Sequence, residues 1–212
     1  AFHTKISQEI DRTRQTGGSF LDIYHAHIHD KLSLRGASFA FLFDLLCKMG
    51  KNHYRILETG GLRKPNNFGD GQSTALFDWF VRVHGGFVWT IDNNIAVAQT
   101  IEKIGLQHTH VVCADSVVFL DHMRHMGMTQ GWDVIYLDSM DSNISPEKLL
   151  PQAHSLKETS ALGHLPAGTI VVFDDSIQNG PILPKDFFAS RYAETVGWKL
   201  LFSGYQVIWQ VR

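Results

Sequence analysis

Short apolar runs rich in Val, Ile and aromatic residues alternate along this chain with longer stretches whose apolar residues recur at helical spacing. The first fifty residues read as helical. Gly36 to Met49 carries apolar positions three and four apart, and Gly50 is placed to stop it. Arg55–Leu57 starts the first strand, which runs into Glu58-Thr59-Gly60-Gly61 and a polar loop. Ser73 to Val83 follows as a helix capped by Ser73 or its neighbour. Phe87–Ile91, His110–Cys113, Trp132–Leu137 and Thr169–Phe173 read as the next four strands. Helices are expected between them over Ile95–Ile104, Val117–His125 and from Pro146 to about Leu162, with Pro146 in a first turn. Phe187–Val196 reads as a last helix. Trp198–Phe202 and Gln206–Val211 flank Ser203-Gly204-Tyr205 as a terminal hairpin.

Strand–helix alternation of this kind predicts βαβ units and a parallel sheet. Every one of the five successive strands ends in a carboxylate or a glycine turn. In a parallel sheet those ends share one rim, where ligands bind near the switch in strand order. A single Asp after a strand is an ordinary turn residue or cap. Repeated at every strand, the placement predicts acids converging on one crevice.

Composition narrows the partners. With 212 residues, the chain suits one domain spanning 1–212, a helical segment over 1–50 followed by an α/β core over 51–212. The formal net charge of -2 argues against sequence-general nucleic-acid binding, so no nucleic acid is expected. Cys47 and Cys113 lack metal-type spacing and read as buried free thiols in a reducing compartment. The N-terminal residues lack the apolar core of a signal peptide, and Ala37–Cys47 is too short to span a bilayer, so a cytoplasmic protein with no membrane partner is expected. An apolar N-terminal helix pair has two places to go, the sheet or a second subunit of a homo-oligomer.

Three sites carry chemistry. Glycines at 60 and 61, and at 69 and 71 before the helix, allow a ligand close to the backbone and to free helix N–H groups. There is no GKS or GKT for a P-loop, and Leu62–Phe68 interrupts any GxGxxG. Asp92 after the second strand suits the two hydroxyls of a ribose. Asp138, Asp174 and Asp175 end two strands expected to be neighbours; three such carboxylates repel one another unless compensated, and a divalent cation such as Mg²⁺ compensates them. Such an ion would bind substrate oxygens and lower the pKa of a hydroxyl. YHAHIHD, with His25, His27 and His29, comes without HExxH or cysteine partners and reads as a surface or lid segment rather than a zinc site. Arg63 and Lys64 either close over a ligand or sit in solvent.

From about Gly36 to the C-terminus, the order ILETGG with GDGQST, TIDNN, VVCADS, WDVIYLDSMD, GTIVVFDDS and WKLLFSGYQVIWQV resembles the Rossmann-like class I S-adenosylmethionine-dependent methyltransferases. The metal-dependent O-methyltransferases of the catechol and antibiotic-sugar types are the nearest branches in that resemblance. It implies a doubly wound, seven-stranded, mostly parallel sheet with a C-terminal antiparallel hairpin. It also implies methyl transfer from S-adenosylmethionine to a hydroxyl of a small-molecule acceptor, a sugar or a phenol. By position, Glu58, Gly60 and Ser73 would surround the methionine moiety, Asp92 the ribose, and Asp115 and Ser116 the adenine. Gly61 shares the same turn, but the extended Leu62–Phe68 loop departs from the family's compact turn and leaves the contacts of Gly61, Gly69 and Gly71 open. Asp138, Asp174 and Asp175 match the metal positions. Where the catechol type has a base lysine this chain has Asp141, the candidate general base. A metal-independent methyltransferase, an NAD-dependent oxidoreductase and a non-catalytic binding module are the alternatives. The missing Asn/Asp-Pro-Pro-aromatic tetrapeptide favours oxygen over a nucleic-acid nitrogen as acceptor.

Overall fold

The structure, a computed structural model, describes residues 2–70, 72–141, 149–177 and 182–212. Seven strands form one sheet: β1 (Tyr54–Thr59), β2 (Gly86–Asp92), β3 (Thr109–Cys113), β4 (Val134–Leu137), β5 (Ile170–Phe173), β6 (Lys199–Ser203) and β7 (Val207–Gln210). Their order is β3-β2-β1-β4-β5-β7-β6. The first five run parallel, and β7 enters antiparallel between β5 and β6. The neighbours expected to carry Asp138 and Asp174-Asp175 are paired, Leu137 opposite Phe173. Their carboxylates therefore leave the sheet side by side.

All four residues of β4 and of β5 are buried, as central parallel strands covered on both faces require. The period-2 alternation splits them between two cores. Val134, Tyr136, Ile170 and Val172 point into one, and Ile135, Leu137, Val171 and Phe173 into the other.

The first core is roofed by the N-terminal helices, α1 (Phe2–Thr16), α2 (Phe20–Ile23) and α3 (Arg35–Met49), together with α4 (Ser73–His84) and α5 (Ile95–Ile104). Phe39, Leu42, Phe43 and Leu46 of α3 fall at i, i+3, i+4 and i+7 and are all fully buried. Each such side chain contributes about 1.5–3 kcal/mol of burial. Phe39 stacks on Tyr136 of β4 at 5.8 Å, and Phe43 on Phe80 of α4 at 5.3 Å. The apolar N-terminal helices thus pack on the sheet, and Gly50 ends α3 in the left-handed conformation, as expected. The second core lies under α6 (Ser116–His125), α7 (Leu150–Leu162) and α8 (Phe187–Thr195). The described part of α7 begins at Leu150 with Pro151 in its first turn; Pro146 lies outside the described residues, as does Gly71.

Two expectations need correction. Cys113 is exposed rather than buried, because it is the last residue of edge strand β3 and belongs to neither core. Trp132 precedes β4 instead of starting it: its indole N–H turns back to the Met128 carbonyl at 2.9 Å while its ring fills the second core. The YHAHIHD segment is neither strand nor α-helix. Tyr24–Ile28 forms a π-helical turn and His29–Leu32 a 3₁₀ turn. Tyr24 pins this segment by donating to the Gly36 carbonyl at 2.8 Å. Among the described residues, no helix is long and apolar enough to cross a membrane.

Candidate active site

The C-terminal ends of β1, β2, β3, β4 and β5 gather the rim residues as the parallel order requires. Gly60 turns the chain off β1 with φ +81°, and a Cβ there would stand 2.2 Å from the Asp138 carbonyl oxygen. Only glycine fits this position. Gly61 is similarly hemmed in: a Cβ would meet Val97 Cγ1 at 2.6 Å and Thr90 Cγ2 at 2.8 Å. The Gly61 N–H donates to Asp92 Oδ2 at 2.9 Å, and the Asn94 N–H to Asp92 Oδ1 at 2.8 Å. Asp92 thus clasps the β1 and β2 turns together.

Glu58 sits beneath this turn and is fully buried. Its Oε2 accepts from Thr74 Oγ1 at 2.6 Å and from Thr90 Oγ1 at 2.7 Å, while Thr74 Oγ1 accepts from the Leu62 N–H at 3.0 Å. Burial pushes the Glu58 carboxyl up to about 7, against the pull of the Ser73, Thr74 and Thr90 hydroxyls. Its carboxylate shapes the turn from below and lines neither of the clefts described next.

Two clefts meet over the rim and share Gly60, Asp92 and Ser139. One is bounded by Gly61, Arg63, Ser73, Asp138 and Asp141. The other is bounded by Asp115, Ser116, Met140 and His154. Asp115 caps α6, accepting from the Val118 N–H at 3.0 Å. Of the cofactor residues read from the sequence, Gly60, Gly61, Ser73, Asp92, Asp115 and Ser116 all border this double cleft.

The sequence reading missed a pair on α7. His154 Nε2 lies 3.2 Å from Ser116 Oγ and 3.6 Å from Glu158 Oε1. Glu158 is buried, yet contacts from His154 and Ser116 hold its carboxyl below the ordinary value against that burial. Its signal was present as a His and a Glu four apart in HSLKE, one helical turn on the same face.

At the other end, Arg63 Nη1 meets Asp141 Oδ2 at 2.8 Å across the mouth of the first cleft. This hydrogen bond draws the Asp141 carboxyl below its ordinary value. Arg63 thus touches the rim while its side chain and that of Asp141 both remain exposed.

Asp138, Asp174 and Asp175 converge, with one oxygen of each within 4.8 Å of the others. Among the described residues they form the one group of three or more ligand-type side chains, and no histidine belongs to it. Each carboxylate already has a cation. Lys185 Nζ contacts Asp138 Oδ1 at 2.6 Å. Arg35 reaches Asp174 through Nε at 3.2 Å and Nη2 at 3.0 Å, and Asp175 through Nη2 at 3.1 Å. Asp174 is fully buried, which alone would raise its carboxyl, but the Arg35 charge and hydrogen bonds hold it below the ordinary value. Burial likewise works against the Lys185 ammonium, and the surrounding carboxylates of Asp138, Asp175 and Asp174 outweigh it and keep the amine charged. Asp175 stands in the left-handed region at φ +53°, which turns its carboxylate back toward Arg35 and the Tyr205 hydroxyl at 2.5 Å.

No protein-family model matches the chain, and no curated protein does. Solved structures do. The calicheamicin methyltransferase CalS11 superposes with a TM-score of 0.53 at 14% identity, over 98% of this chain and 91% of its own. The fold is that of class I methyltransferases. The same methyltransferase fold is found in MycE, from the mycinamycin biosynthetic pathway and solved in complex with Mg, SAH and mycinamycin VI. It matches with a TM-score of 0.51 at 16% identity, over 82% of this chain and 50% of its own. A methyltransferase homologue from Pyrococcus horikoshii is similar over 71% of this chain and 48% of its own, at 12% identity and a TM-score of 0.47. The chain thus spans about half the length of these last two proteins. Its reversed β7, inserted between β5 and β6, is the feature of the methyltransferase sheet that the terminal hairpin predicted.

Proposed function

We propose that residues 1–212 act as one methyltransferase domain that moves the methyl group of S-adenosylmethionine to a hydroxyl oxygen of a small molecule, a sugar or a phenol. The observation that carries this reading is the double cleft pivoting on Gly60 and Asp92. An amino acid joined to a nucleoside needs two lobes with a diol acceptor between them. In this reading Gly60, Gly61 and Ser73 face the methionine moiety, Asp92 accepts from the ribose hydroxyls, and Asp115, Ser116 and His154 border the adenine. Glu58 acts through Thr74, holding the turn that the methionine moiety meets. CalS11 and MycE, methyltransferases whose fold this chain shares, support methyl transfer as the reaction class.

In the reaction the S–CH₃ bond breaks as the O–CH₃ bond forms, the sulfonium becomes a neutral thioether, and the hydroxyl proton goes to a base. Asp141 is the candidate base at the mouth of the cleft. Arg63 weakens it while the two are paired, because a carboxyl with a lowered pKa is the poorer proton acceptor. The donor's own carboxylate suits the Arg63 guanidinium, and engaging it there would release Asp141.

Calorimetric titration with S-adenosylmethionine, with NAD as control, tests the reading without knowledge of the acceptor. Micromolar binding is expected, weakened at least tenfold in Asp92→Ala, which removes two charge-assisted hydrogen bonds at about 1.5–3 kcal/mol each. The variant's melting curve separates lost contacts from a loosened β1–β2 turn. Absence of binding by a folded wild-type protein, or a preference for NAD, would overturn the proposal.

A further inference from the structure

The resemblance in sequence asks for a divalent cation at Asp138, Asp174 and Asp175, and the residues around them do not fit one. A hard cation such as Mg²⁺ needs free oxygen ligands in near-octahedral array. Here both oxygens of Asp174 are taken, Oδ2 by Arg35 and Oδ1 by the Gln206 amide at 2.9 Å. One oxygen of Asp175 accepts from Arg35 and Tyr205, and one of Asp138 from Lys185.

Neither cation is a loose surface side chain. The Lys185 side chain is 3% exposed and that of Arg35 12%. Arg35 is fixed on further sides, donating through Nη1 to the Gly69 carbonyl at 3.2 Å and lying 4.3 Å over the Tyr205 ring. The Lys185 backbone N–H is tied to the Asp175 carbonyl at 3.2 Å.

We infer that this rim works without a divalent cation, the Lys185 ammonium and the Arg35 guanidinium standing in the cation's place. Asp138 of this cluster borders the first cleft, where the methyl-transfer reading, on which this part of the inference rests, puts the donor. Asp138 thus meets the reacting end of the cleft as a lysine-anchored carboxylate rather than as a metal ligand.

The test is a Mn²⁺ titration of the full chain after chelator treatment, read by the electron paramagnetic resonance of free Mn²⁺, with a parallel calorimetric titration of S-adenosylmethionine. Wild type is expected to show no saturable Mn²⁺ binding in the millimolar range, and chelation to leave both melting temperature and S-adenosylmethionine affinity unchanged. Lys185→Gln, which removes the charge and keeps the volume, is expected to gain Mn²⁺ binding at least tenfold over wild type. Saturable micromolar binding by wild type that Asp138→Asn abolishes would overturn the inference, and so would a folded Lys185→Gln that gains nothing. The wild-type arm needs no variant to fold. Failure to bind S-adenosylmethionine would sink the methyl-transfer reading while leaving the Mn²⁺ result intact.

Discussion

The stability of Glu58→Gln relative to wild type should rise with pH by an amount set by the burial of Glu58. The wild-type carboxyl is fully buried and titrates near 7, against 4.5 for an unperturbed Glu. The folded chain therefore holds this proton more tightly than the unfolded chain. As pH rises from 4.5, the unfolded chain ionises first, so the wild-type protein loses stability until the folded carboxyl has titrated too, and the loss is complete above about 7. At about 1.4 kcal/mol for each unit of displacement, the loss comes to about 3 kcal/mol. Glutamine has no proton to give up, and its carbonyl oxygen can accept from Thr74 and Thr90 as Oε2 does. Any fixed cost of seating the amide is the same at every pH and cancels when pH values are compared. Urea unfolding of both proteins between pH 4.5 and about pH 8 reads the difference directly. The stability of Glu58→Gln minus that of wild type should rise by about 3 kcal/mol across that interval, or roughly 6–12 °C in melting temperature for a chain of this size. A difference that stays flat through this range would refute the burial argument for Glu58, and with it the account of how the β1 turn is held.

Gly60→Ala should cost stability and abolish S-adenosylmethionine binding together, because the added Cβ collides with the Asp138 backbone at 2.2 Å in a left-handed turn; melting and calorimetry check it, and a stable variant that binds normally would refute the fit. Asp174→Ala leaves the buried Arg35 guanidinium with Asp175 as its one carboxylate partner, and urea unfolding should show a loss of about 3–5 kcal/mol. Asp141→Asn should behave in the opposite way. The Arg63–Asp141 pair is half exposed and contributes at most about 1 kcal/mol, so melting should barely move. Under the proposed competition for Arg63, S-adenosylmethionine affinity should rise severalfold in that variant, and an unchanged affinity would remove Arg63 as the partner of the donor's carboxylate.

Local chemistry made much of this molecule legible. The strand–helix order followed from apolar runs and turn residues, and Asp92 and Asp115 stand at the strand ends where their sequence neighbours put them. The pairing of β4 with β5 followed from the topology that such alternation permits. Other features have causes the local pattern does not contain. The π-helical turn at Tyr24–Ile28 is held by a hydrogen bond from Tyr24 to Gly36, a packing constraint that no periodicity in YHAHIHD reveals. Cys113 sits in an apolar run, and only its place at the end of edge strand β3 exposes it.

The charge balance at the rim was the feature least accessible to sequence, and the reason is separation along the chain. Arg35 and Asp174 are 139 positions apart, and Lys185 and Asp138 are 47. Nothing in LSLRGAS or LPKDFF marks either cation as buried. Three acids predicted at one rim do nevertheless impose a condition through their charge alone. That charge must be met by something, and a chain with 19 Lys and Arg has candidates of its own before an ion is invoked. Among the described residues, the helix start at Arg35 and the entry to α8 at Lys185 supply the cations paired with Asp138, Asp174 and Asp175. The N-terminal segment therefore does more than roof one core. Through Arg35 it supplies the cation that Asp174 and Asp175 share, so displacing that segment would leave buried Asp174 without its ion-pair partner.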